Sequence, residues 1–394
     1  MRATAAAVAV ALLLTACGKD GPSSSAPADP GGGGVVLGVG GDQPEAAQEL
    51  GFPGFATKNT TRVAGADPVA DAAGVAQAVF PGGVPAARPP AVVLADEGDW
   101  QAAVAGAVLM ARPVRAPMLL ARDGDLPEAT AAALRRLDPT GSGVLGRAQV
   151  IRIGDEVPQP DGLQATTVAG GDPFELAAAI DRIATTAAGE PSDQVVVAGA
   201  HEPAYAMPAA AWAAKSGDPV LFVERDAVPE ATAAALRRHE QPQILVLGGP
   251  GQVSDAVVEQ LGELGAVTRI GGATPQHVAV SFARFAGGAG GWGVVDPGHG
   301  LVFANPGQPA AAGAAAPLSS SGSYGPLLLT GDDGSLPNVV VQYLLDIQPG
   351  YQSDPVRGVY NHGWLIGDEQ AITLATQSRI DALLEISPVN DEAP

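Results

Sequence analysis

The chain has 394 residues, which at roughly 150 residues per domain is enough for two or three domains. Hydrophobic residues make up 46% and charged residues 16%, a balance too apolar for a disordered chain, and 52 glycines with 35 prolines divide it into short elements. Aromatic residues are only 4% and the formal net charge is -21, so base stacking and non-specific binding to nucleic acid or an anionic membrane are disfavoured.

The first 34 residues predict export and attachment to a lipid. Arg2 precedes a short apolar run and the sequence Leu-Thr-Ala-Cys, which is typical of a secretory signal peptide. Leu-x-Ala-Cys resembles a bacterial lipobox, so we expect residues 1–16 to be the signal peptide and Cys17, the only cysteine, to be lipidated. An ordinary secretory signal with an incidental cysteine is the alternative. Residues 17–34 are rich in Gly, Ser and Pro and predict a disordered tether.

One unit recurs three times after the tether. The segment from Leu126 to Arg136 returns at Val228 to Arg238 with a single difference, 102 residues later. The phrase Pro-Met-Leu-Leu-Ala at residues 117–121 returns at the same offset as Pro-Val-Leu-Phe-Val, and again as Pro-Leu-Leu-Leu-Thr at residues 326–330. The sequence therefore predicts three tandem repeats, which we place at residues 35–160, 161–266 and 267–388, with a tail at 389–394.

Each repeat alternates short apolar runs with apolar residues at helical spacing, which predicts alternating strands and helices. Runs such as Val-Val-Leu-Ala at residues 92–95 are apolar throughout. Strands covered on both faces have this composition, which favours parallel sheets between layers of helices. The early segments 35–41 and 43–50 could add a strand and a helix to the first repeat. We therefore predict an α/β fold of three tandem pseudo-repeated subdomains with parallel sheets flanked by helices.

The order of these phrases resembles the cell wall binding type 2 repeat of Gram-positive surface proteins. Matching phrases include Thr-Arg-Val-Ala-Gly-Ala-Asp at residues 61–67, Val-Val-Leu-Ala at 92–95, Pro-Met-Leu-Leu at 117–120 and Leu-Gly-Gly at 247–249. The resemblance covers about residues 57–388 and implies three α/β subdomains about a pseudo-threefold axis. It also implies non-covalent binding to an anionic cell wall glycopolymer, or to a peptidoglycan-associated polymer, without catalysis.

The resemblance links the polymer to the ends of the repeated Pro-x-Leu-Leu strands and to the opening phrases of the three repeats, at residues 61–68, 167–173 and 268–275. The candidate residues are Leu119, Leu120, Leu221, Phe222, Leu328, Leu329 and Thr330 on the strands, and Asp67 and Asp172 in the phrases. Because the chain is acidic, an anionic polymer also needs a local arginine cluster or bridging cations. Arg62 and Arg269 occupy matching places and are the first cations to test. The alternatives are core positions for the strand residues and surface salt bridges for the arginines.

Signs of catalysis or metal binding are absent from the sequence. None of the histidines forms a pair at the spacing of His-Glu-x-x-His, and these are His201, His239, His277, His299 and His362. No Gly-x-Ser-x-Gly phrase is present, and a glycosidase has no support beyond the number of carboxylates. The Leu-Gly-Gly-Pro-Gly turn at 247–251 could present amides to an anion, or only close a strand against its helix. We predict a protein without catalysis, metal or cofactor.

These observations favour a lipid-anchored, exported, non-catalytic protein on the outer face of the plasma membrane that ties the membrane to the cell wall. Nucleic acid is not an expected partner. A solute-binding lipoprotein of a transporter would share the lipobox, the tether and the α/β composition, but two lobes around one closing cleft would identify it. A scaffold for an envelope enzyme is the third possibility, because an acidic surface suits a basic partner.

Overall fold

Residues 54–288 and 290–389 are described in the computed structural model of the chain, and they all belong to one unit, Val36–Pro394. The predicted signal peptide, Cys17, the tether and the early segments at 35–50 lie outside the described residues, as do residues 390–394 of the predicted tail. No helix within the described ranges is both long and apolar enough to cross a membrane.

Short strands and helices alternate along the chain. The strands are β1 (Gly54–Ala56), β2 (Thr60–Val63), β3 (Val92–Asp96), β4 (Met118–Ala121), β5 (Val150–Ile153), β6 (Ala165–Val168), β7 (Gln194–Gly199), β8 (Val220–Val223), β9 (Gln243–Leu247), β10 (Ala266–Ile270), β11 (Gly300–Ala304), β12 (Leu327–Leu329), β13 (Gly350–Tyr351), β14 (His362–Ile366) and β15 (Ser387–Pro388). The α-helices are α1 (Pro68–Val79), α2 (Trp100–Gly106), α3 (Glu128–Leu137), α4 (Pro173–Ala188), α5 (Pro203–Ser216), α6 (Glu230–Arg238), α7 (Asp255–Gly262), α8 (Pro275–Arg284), α9 (Ala310–Ser320), α10 (Asn338–Asp346) and α11 (Leu374–Leu383).

Three parallel sheets share one strand order. The first sheet is β4-β3-β5-β6 and the second is β8-β7-β9-β10. The third is β12-β11-β14-β2, with β1 added antiparallel at its edge. The strand interiors are buried between helices, as the uniformly apolar runs require. The predicted α/β class with parallel sheets flanked by helices is confirmed.

The fourth strand of each sheet comes from the opening phrase of another predicted repeat. β6 pairs with β5, and β10 pairs with β9. The third sheet takes its fourth strand from the beginning of the described chain, where β2 pairs with β14 so that Trp364 lies beside Thr61. Segments about 300 residues apart along the chain are therefore neighbours in one sheet.

Three alanine-rich helices pack against one another at the centre of the unit. These helices are α2, α5 and α9, and each follows the first strand of its sheet. Gly313 of α9 approaches α2 so closely that a Cβ atom there would lie 2.1 Å from the carbonyl oxygen of Ala103. Small side chains allow this approach, so the alanine-rich composition builds the contact between the three sheets.

Candidate functional site

The predicted strand residues lie in the core. Those without exposed surface are Leu119, Leu120, Leu221, Phe222, Leu328, Leu329 and Thr330. The Thr330 hydroxyl lies 3.1 Å from the carbonyl oxygen of Gly331, and the Thr330 carbonyl accepts a hydrogen bond of 2.8 Å from Gln276. A polymer cannot contact these seven side chains, because β4, β8 and β12 are covered by helices on both faces. Of the two interpretations of these strands, the structure supports the core.

Arg62 is also fully buried, although it is a charged residue. Its guanidinium donates hydrogen bonds of 2.7–2.9 Å to Gln377 Oε1 and to the carbonyl oxygens of Gly367, Asp368 and Ile372. Burial lowers the pKa of Arg62, which the carboxylates of Glu369, Asp368 and Asp71 oppose. Arg62 therefore fixes the loop that follows β14, and it is neither a polymer contact nor a surface salt bridge.

Arg269 holds the corresponding loop of the second sheet. It donates to the carbonyl oxygens of Gly248 and Val253 at 3.0 and 2.9 Å, and its side chain is 20% exposed. A further ion pair joins it to Asp255 at 3.0 Å. The matching positions of Arg62 and Arg269 in the sequence thus correspond to a shared structural role.

In the first sheet an arginine holds the corresponding loop in the same way, but it comes from a different strand. Thr167 stands where the other opening phrases have arginine, and its neighbour across the strand pair is Arg152 of β5. Arg152 donates to the carbonyl oxygens of Val157 and Asp155 at 2.6 and 3.0 Å, and to the Thr167 hydroxyl at 2.9 Å. Sequence comparison of the opening phrases missed this residue, because the arginine had moved to the adjacent strand.

Asp67 and Asp172 begin helices. Asp67 accepts a hydrogen bond of 2.9 Å from the amide of Ala70, and Asp172 accepts bonds from the first turn of α4. Thr274 takes this place before α8, so Thr274 is the counterpart of Asp67 in the third phrase. The x-Pro phrases are therefore helix-start signals, with proline at the first helical position.

Asp67 also belongs to an ion-pair network above the first sheet. Arg122, which follows β4, lies 2.7 Å from Asp67 and also pairs with Glu97. Burial raises the pKa of Asp67, but the Ala70 amide and Arg122 outweigh burial, so the pKa lies below its ordinary value. Asp67 is ionised and half-exposed, whereas Asp172 is exposed and caps its helix. The predicted residues of the three repeats lie in three different sheets and do not form one site.

A polar cavity of about 330 Å³ lies at the carboxyl edge of the third sheet. Its lining includes Asp67, Asp71, Asn305, Gln308, Asp368 and Gln370. The loops after β11 and β14 contribute to it, and these two strands flank the point where the strand order reverses. Ligands of open parallel sheets bind at such a switch point, outside the carboxyl ends of the strands. Of the predicted site residues, only Asp67 lines this cavity.

Asp71 is the buried acid of this cavity. One carboxylate oxygen accepts a hydrogen bond of 2.6 Å from the Gly65 amide. Burial, with the nearby Asp368 and Asp67, raises the pKa of Asp71 to about 7, against the effect of the Gly65 amide and Arg62. The other oxygen lies 3.9 Å from the point that a Cβ of Gly367 would occupy. Gln308 Oε1 lies 3.4 Å from the same point.

The Gln308 side chain has a polar atom that makes no hydrogen bond within the described residues. Its Oε1 atom is buried and has no hydrogen-bond partner among the described residues. A protonated carboxyl group can donate a hydrogen bond to an amide oxygen, whereas a carboxylate can only accept one. The cavity therefore offers donors and acceptors whose balance changes near pH 7. No motif in the sequence marked Asp71 or Gln308, because both belong to alanine-rich helical segments or their starts.

The histidines are dispersed over the fold. Within the described ranges, no group of three or more His, Cys, Asp or Glu residues is arranged to hold a metal ion. His239 is the one that lies in a buried ion pair: its Nε2 is 3.0 Å from Asp181 Oδ1, and Arg238 lies 3.0 Å from the other carboxylate oxygen. His239 Nδ1 faces the carbonyl oxygen of Ser192 at 2.8 Å. Both ring nitrogens thus face acceptors, which suits the protonated ring.

We expect this pair to make the stability of the fold depend on pH. Burial lowers the pKa of His239, but the hydrogen bond and charge of Asp181 and the Ser192 carbonyl outweigh burial and raise it. Stabilisation is therefore complete below the unfolded pKa of about 6.5 and is lost as the pH rises through the folded value. His239→Gln should lower the free energy of unfolding by about 1.5 kcal/mol at low pH and by less at high pH.

Urea unfolding of both proteins from about pH 6 to pH 9 measures this difference. His201→Gln is the control, because the His201 side chain is 69% exposed. If wild type and His239→Gln gave parallel curves of stability against pH, the imidazolium pair would be excluded as the cause.

Comparison with known proteins identifies one repeat directly. Residues 167–258 match the profile of the family described as Cell wall binding domain 2 (CWB2). The predicted resemblance to this family is therefore confirmed for residues 167–258. Among curated proteins no match was found.

Solved structures share the fold. Cwp6 from Clostridium difficile superposes with a TM-score of 0.66 over 86% of this chain at 19% identity, and Cwp8 from the same organism with 0.63 over 83% at 20% identity. The match covers 50% of Cwp6 and 52% of Cwp8, so this chain spans about half the length of either protein.

Proposed function

We propose that this chain is a non-catalytic, lipid-anchored protein of the cell envelope that binds a cell wall glycopolymer non-covalently through three repeats. The observation that carries the proposal is the common strand order of three sheets, together with the CWB2 match over residues 167–258 in the middle of them. Cys17 would supply the lipid and residues 17–34 the tether. The protein would then sit on the outer face of the plasma membrane and reach the wall.

The cavity at the third sheet is the proposed contact for the sugar units. Carboxylate and amide side chains such as Asp67, Gln308 and Gln370 pair well with hydroxyl groups, because they combine acceptors with amide donors. Gln308 has an unpartnered amide oxygen there, which a hydroxyl can satisfy. A polar cavity of about 330 Å³ suits a small part of a chain rather than a whole polymer.

The rival functions have less support from the geometry. A solute-binding protein is expected to have two lobes around a closing cleft, whereas the described residues build three sheets of one topology around central helices. A scaffold for an envelope enzyme would use the acidic surface, but no observation singles out a docking surface for a basic partner.

Co-sedimentation with cell walls tests the proposal. We expect intact walls of its own organism to capture the purified chain. Walls from which acid has extracted the secondary polymers should no longer capture it. Gln308→Ala should weaken capture about fivefold, since one hydrogen bond to a ligand is worth roughly 1 kcal/mol. Gln260→Ala is the matched control, because Gln260 is exposed on α7.

Undiminished capture by stripped walls would contradict polymer binding. Equal capture of the two glutamine variants would remove the cavity from the site while leaving wall binding intact. Thermal unfolding of both variants by circular dichroism should match that of wild type, because the structure gives the Gln308 amide oxygen no partner to lose.

A further inference from the structure

Many positive charges of this acidic protein lie beside carboxylates. Within the described residues, nine lysines and arginines lie in ion pairs with carboxylates, and they are Lys58, Arg88, Arg122, Arg135, Arg225, Arg237, Arg238, Arg269 and Arg284. The guanidinium groups of Arg62 and Arg152 donate hydrogen bonds to carbonyl oxygens. An anionic ligand therefore needs a place where cations gather without acids.

Such a place lies at the C-terminal ends of the central helices. A cavity of about 540 Å³, the central depression, is lined by Met110, Ala111, Arg112, Arg115, Ala214, Lys215, Ser216, Ser320, Ser321 and Gly322. Its residues come from the ends of α5 and α9 and from the segment that follows α2. The depression is therefore built from all three central helices or the segments next to them. Three of the lining residues are cations and none is an acid.

Aromatic rings orient two of these cations. The Lys215 ammonium lies 3.7 Å from the centre of the Tyr324 ring, and the Arg115 guanidinium carbon lies 5.5 Å from the centre of the Phe80 ring. A ring attracts a cation without cancelling its charge, whereas a carboxylate cancels it. No ion pair with a carboxylate is seen for Arg112, Arg115 or Lys215 in the described part of the chain.

The backbone at Arg115 is held in an unfavourable conformation. Its φ of 53° lies in the left-handed region, where glycine is the usual residue. The Arg115 amide bonds to the carbonyl oxygen of Ala111 at 3.0 Å, which fixes this turn. The turn thus keeps a long cationic side chain at a position where glycine would cost less strain.

The helix ends do not cancel this charge. Each helix C-terminus carries roughly half a negative charge, so three ends offset about half of the three positive charges. Arg112 also borders a neighbouring cavity that contains Asp181, Glu190 and Asp193, which offset part of its charge. Arg115 and Lys215 do not line that cavity, and the depression retains a positive excess.

We propose that the central depression binds the acidic groups, phosphate or carboxylate, of one strand of an anionic wall polymer. The inference deepens the proposed function, on which it rests, because it adds a charge contact on the side of the molecule opposite the sugar cavity. The strands run from the depression side, their amino edge, to the cavity side, their carboxyl edge, and the central helices run back.

A polymer strand fits the charge distribution better than a membrane does. The whole chain carries a net charge of -21, and repulsion acts over a Debye length of about 8 Å at physiological salt. A flat anionic membrane would bring many lipid charges near the rest of this acidic chain, including Glu190 and Asp193 of the neighbouring cavity. A single strand brings only the few groups that enter the concave cationic surface.

Binding of a short linear polyphosphate to the purified full chain tests the anion site. Charge removal is achieved with the triple variant Arg112→Gln, Arg115→Gln, Lys215→Gln. The matched control has the same change in net charge on exposed arginines elsewhere, Arg182→Gln, Arg357→Gln, Arg379→Gln. We expect the first variant to bind at least about tenfold more weakly and the control to stay within about twofold of wild type.

Salt dependence gives a second readout. Three contacts to a flexible polyanion predict a slope of log affinity against log salt of about -2, so threefold more salt should weaken wild-type binding about ninefold. The central triple variant should lose most of this slope. Equal affinities and slopes for the two triple variants would overturn the proposal.

Two further arms separate the sources of the anion and the two proposals. Acid-extracted wall polymer should behave like polyphosphate. If the substitutions Arg112→Gln, Arg115→Gln and Lys215→Gln abolished binding to phosphatidylglycerol vesicles but left binding to the wall polymer unchanged, the assignment to a wall polymer would be overturned. Undiminished wall capture of the central triple variant, with loss for Gln308→Ala, would refute the charge contact and leave the proposed function standing. Polyphosphate binding without any wall capture of wild type would refute the polymer assignment and the proposed function together.

Discussion

Replacing Arg62 by leucine should lower the free energy of unfolding by about 3–5 kcal/mol, the largest effect that we expect from a single substitution. The side chain is fully buried and satisfies three main-chain carbonyl groups and Gln377. Leucine fills part of the volume but leaves these acceptors without donors in the protein interior. Each buried unsatisfied group costs roughly 1–3 kcal/mol. Urea unfolding followed by circular dichroism measures the loss.

Arg269→Leu is the matched control for this prediction. It removes the corresponding clamp of the second sheet, but the Arg269 side chain is 20% exposed, so water can satisfy part of what it leaves. We expect a loss of about 1–2 kcal/mol. Arg62→Lys should fall between wild type and leucine, because one ammonium cannot reach all four acceptors. Equal losses for Arg62→Leu and Arg269→Leu would show that burial does not set the cost.

The sequence was sufficient to predict the local elements. The runs at residues 92–95 and 117–121 are apolar throughout, and both proved to be buried parallel strands, β3 and β4. The opening phrases contained a correct signal as well, since Asp67 and Asp172 begin helices. These features depend on neighbours along the chain, so local patterns are enough to predict them.

The pairing of strands could not be predicted in the same way. β2 lies beside β14, and nothing in the four residues of β2 says that their partner is about 300 residues away. The role of Arg62 depends on that pairing, because the carbonyl groups that it holds follow β14. The exchange of arginine between Thr167 and Arg152 is visible only once the two strands are seen side by side.

The candidate binding residues were missed for a related reason. Arg112, Arg115 and Lys215 lie in two different repeats and outside every repeated phrase, yet three helix ends bring them to one cavity. A search for cations at matching sequence positions selects Arg62 and Arg269, which the fold itself uses. Residues that recur at matching positions stabilise the part of the fold that the sheets share. A site where the three central helices meet is instead built from residues that do not recur.

Gly313→Ala tests that central packing. A Cβ atom at Gly313 would lie 2.1 Å from the carbonyl oxygen and 2.6 Å from the carbonyl carbon of Ala103. Both atoms belong to the backbone of α2, so a rotamer change cannot relieve the contact and the two helices must separate. We expect a net loss of about 2–3 kcal/mol, in spite of the higher helix propensity of alanine. Urea unfolding measures it.

Gly262→Ala supplies the matched control, with an effect of opposite sign. Gly262 also lies in a helix, α7, but apart from its chain neighbours and the backbone of its own helix no heavy atom lies within 4 Å of the position its Cβ would take. Alanine there should stabilise the protein by about 0.4–1 kcal/mol, because it restricts the unfolded chain without creating a clash. If Gly313→Ala were also stabilising, α2 and α9 would not be in the close contact that joins the first sheet to the third. The central depression at the ends of these helices would then lose its structural basis, so this pair of substitutions tests the frame on which the proposed anion site depends.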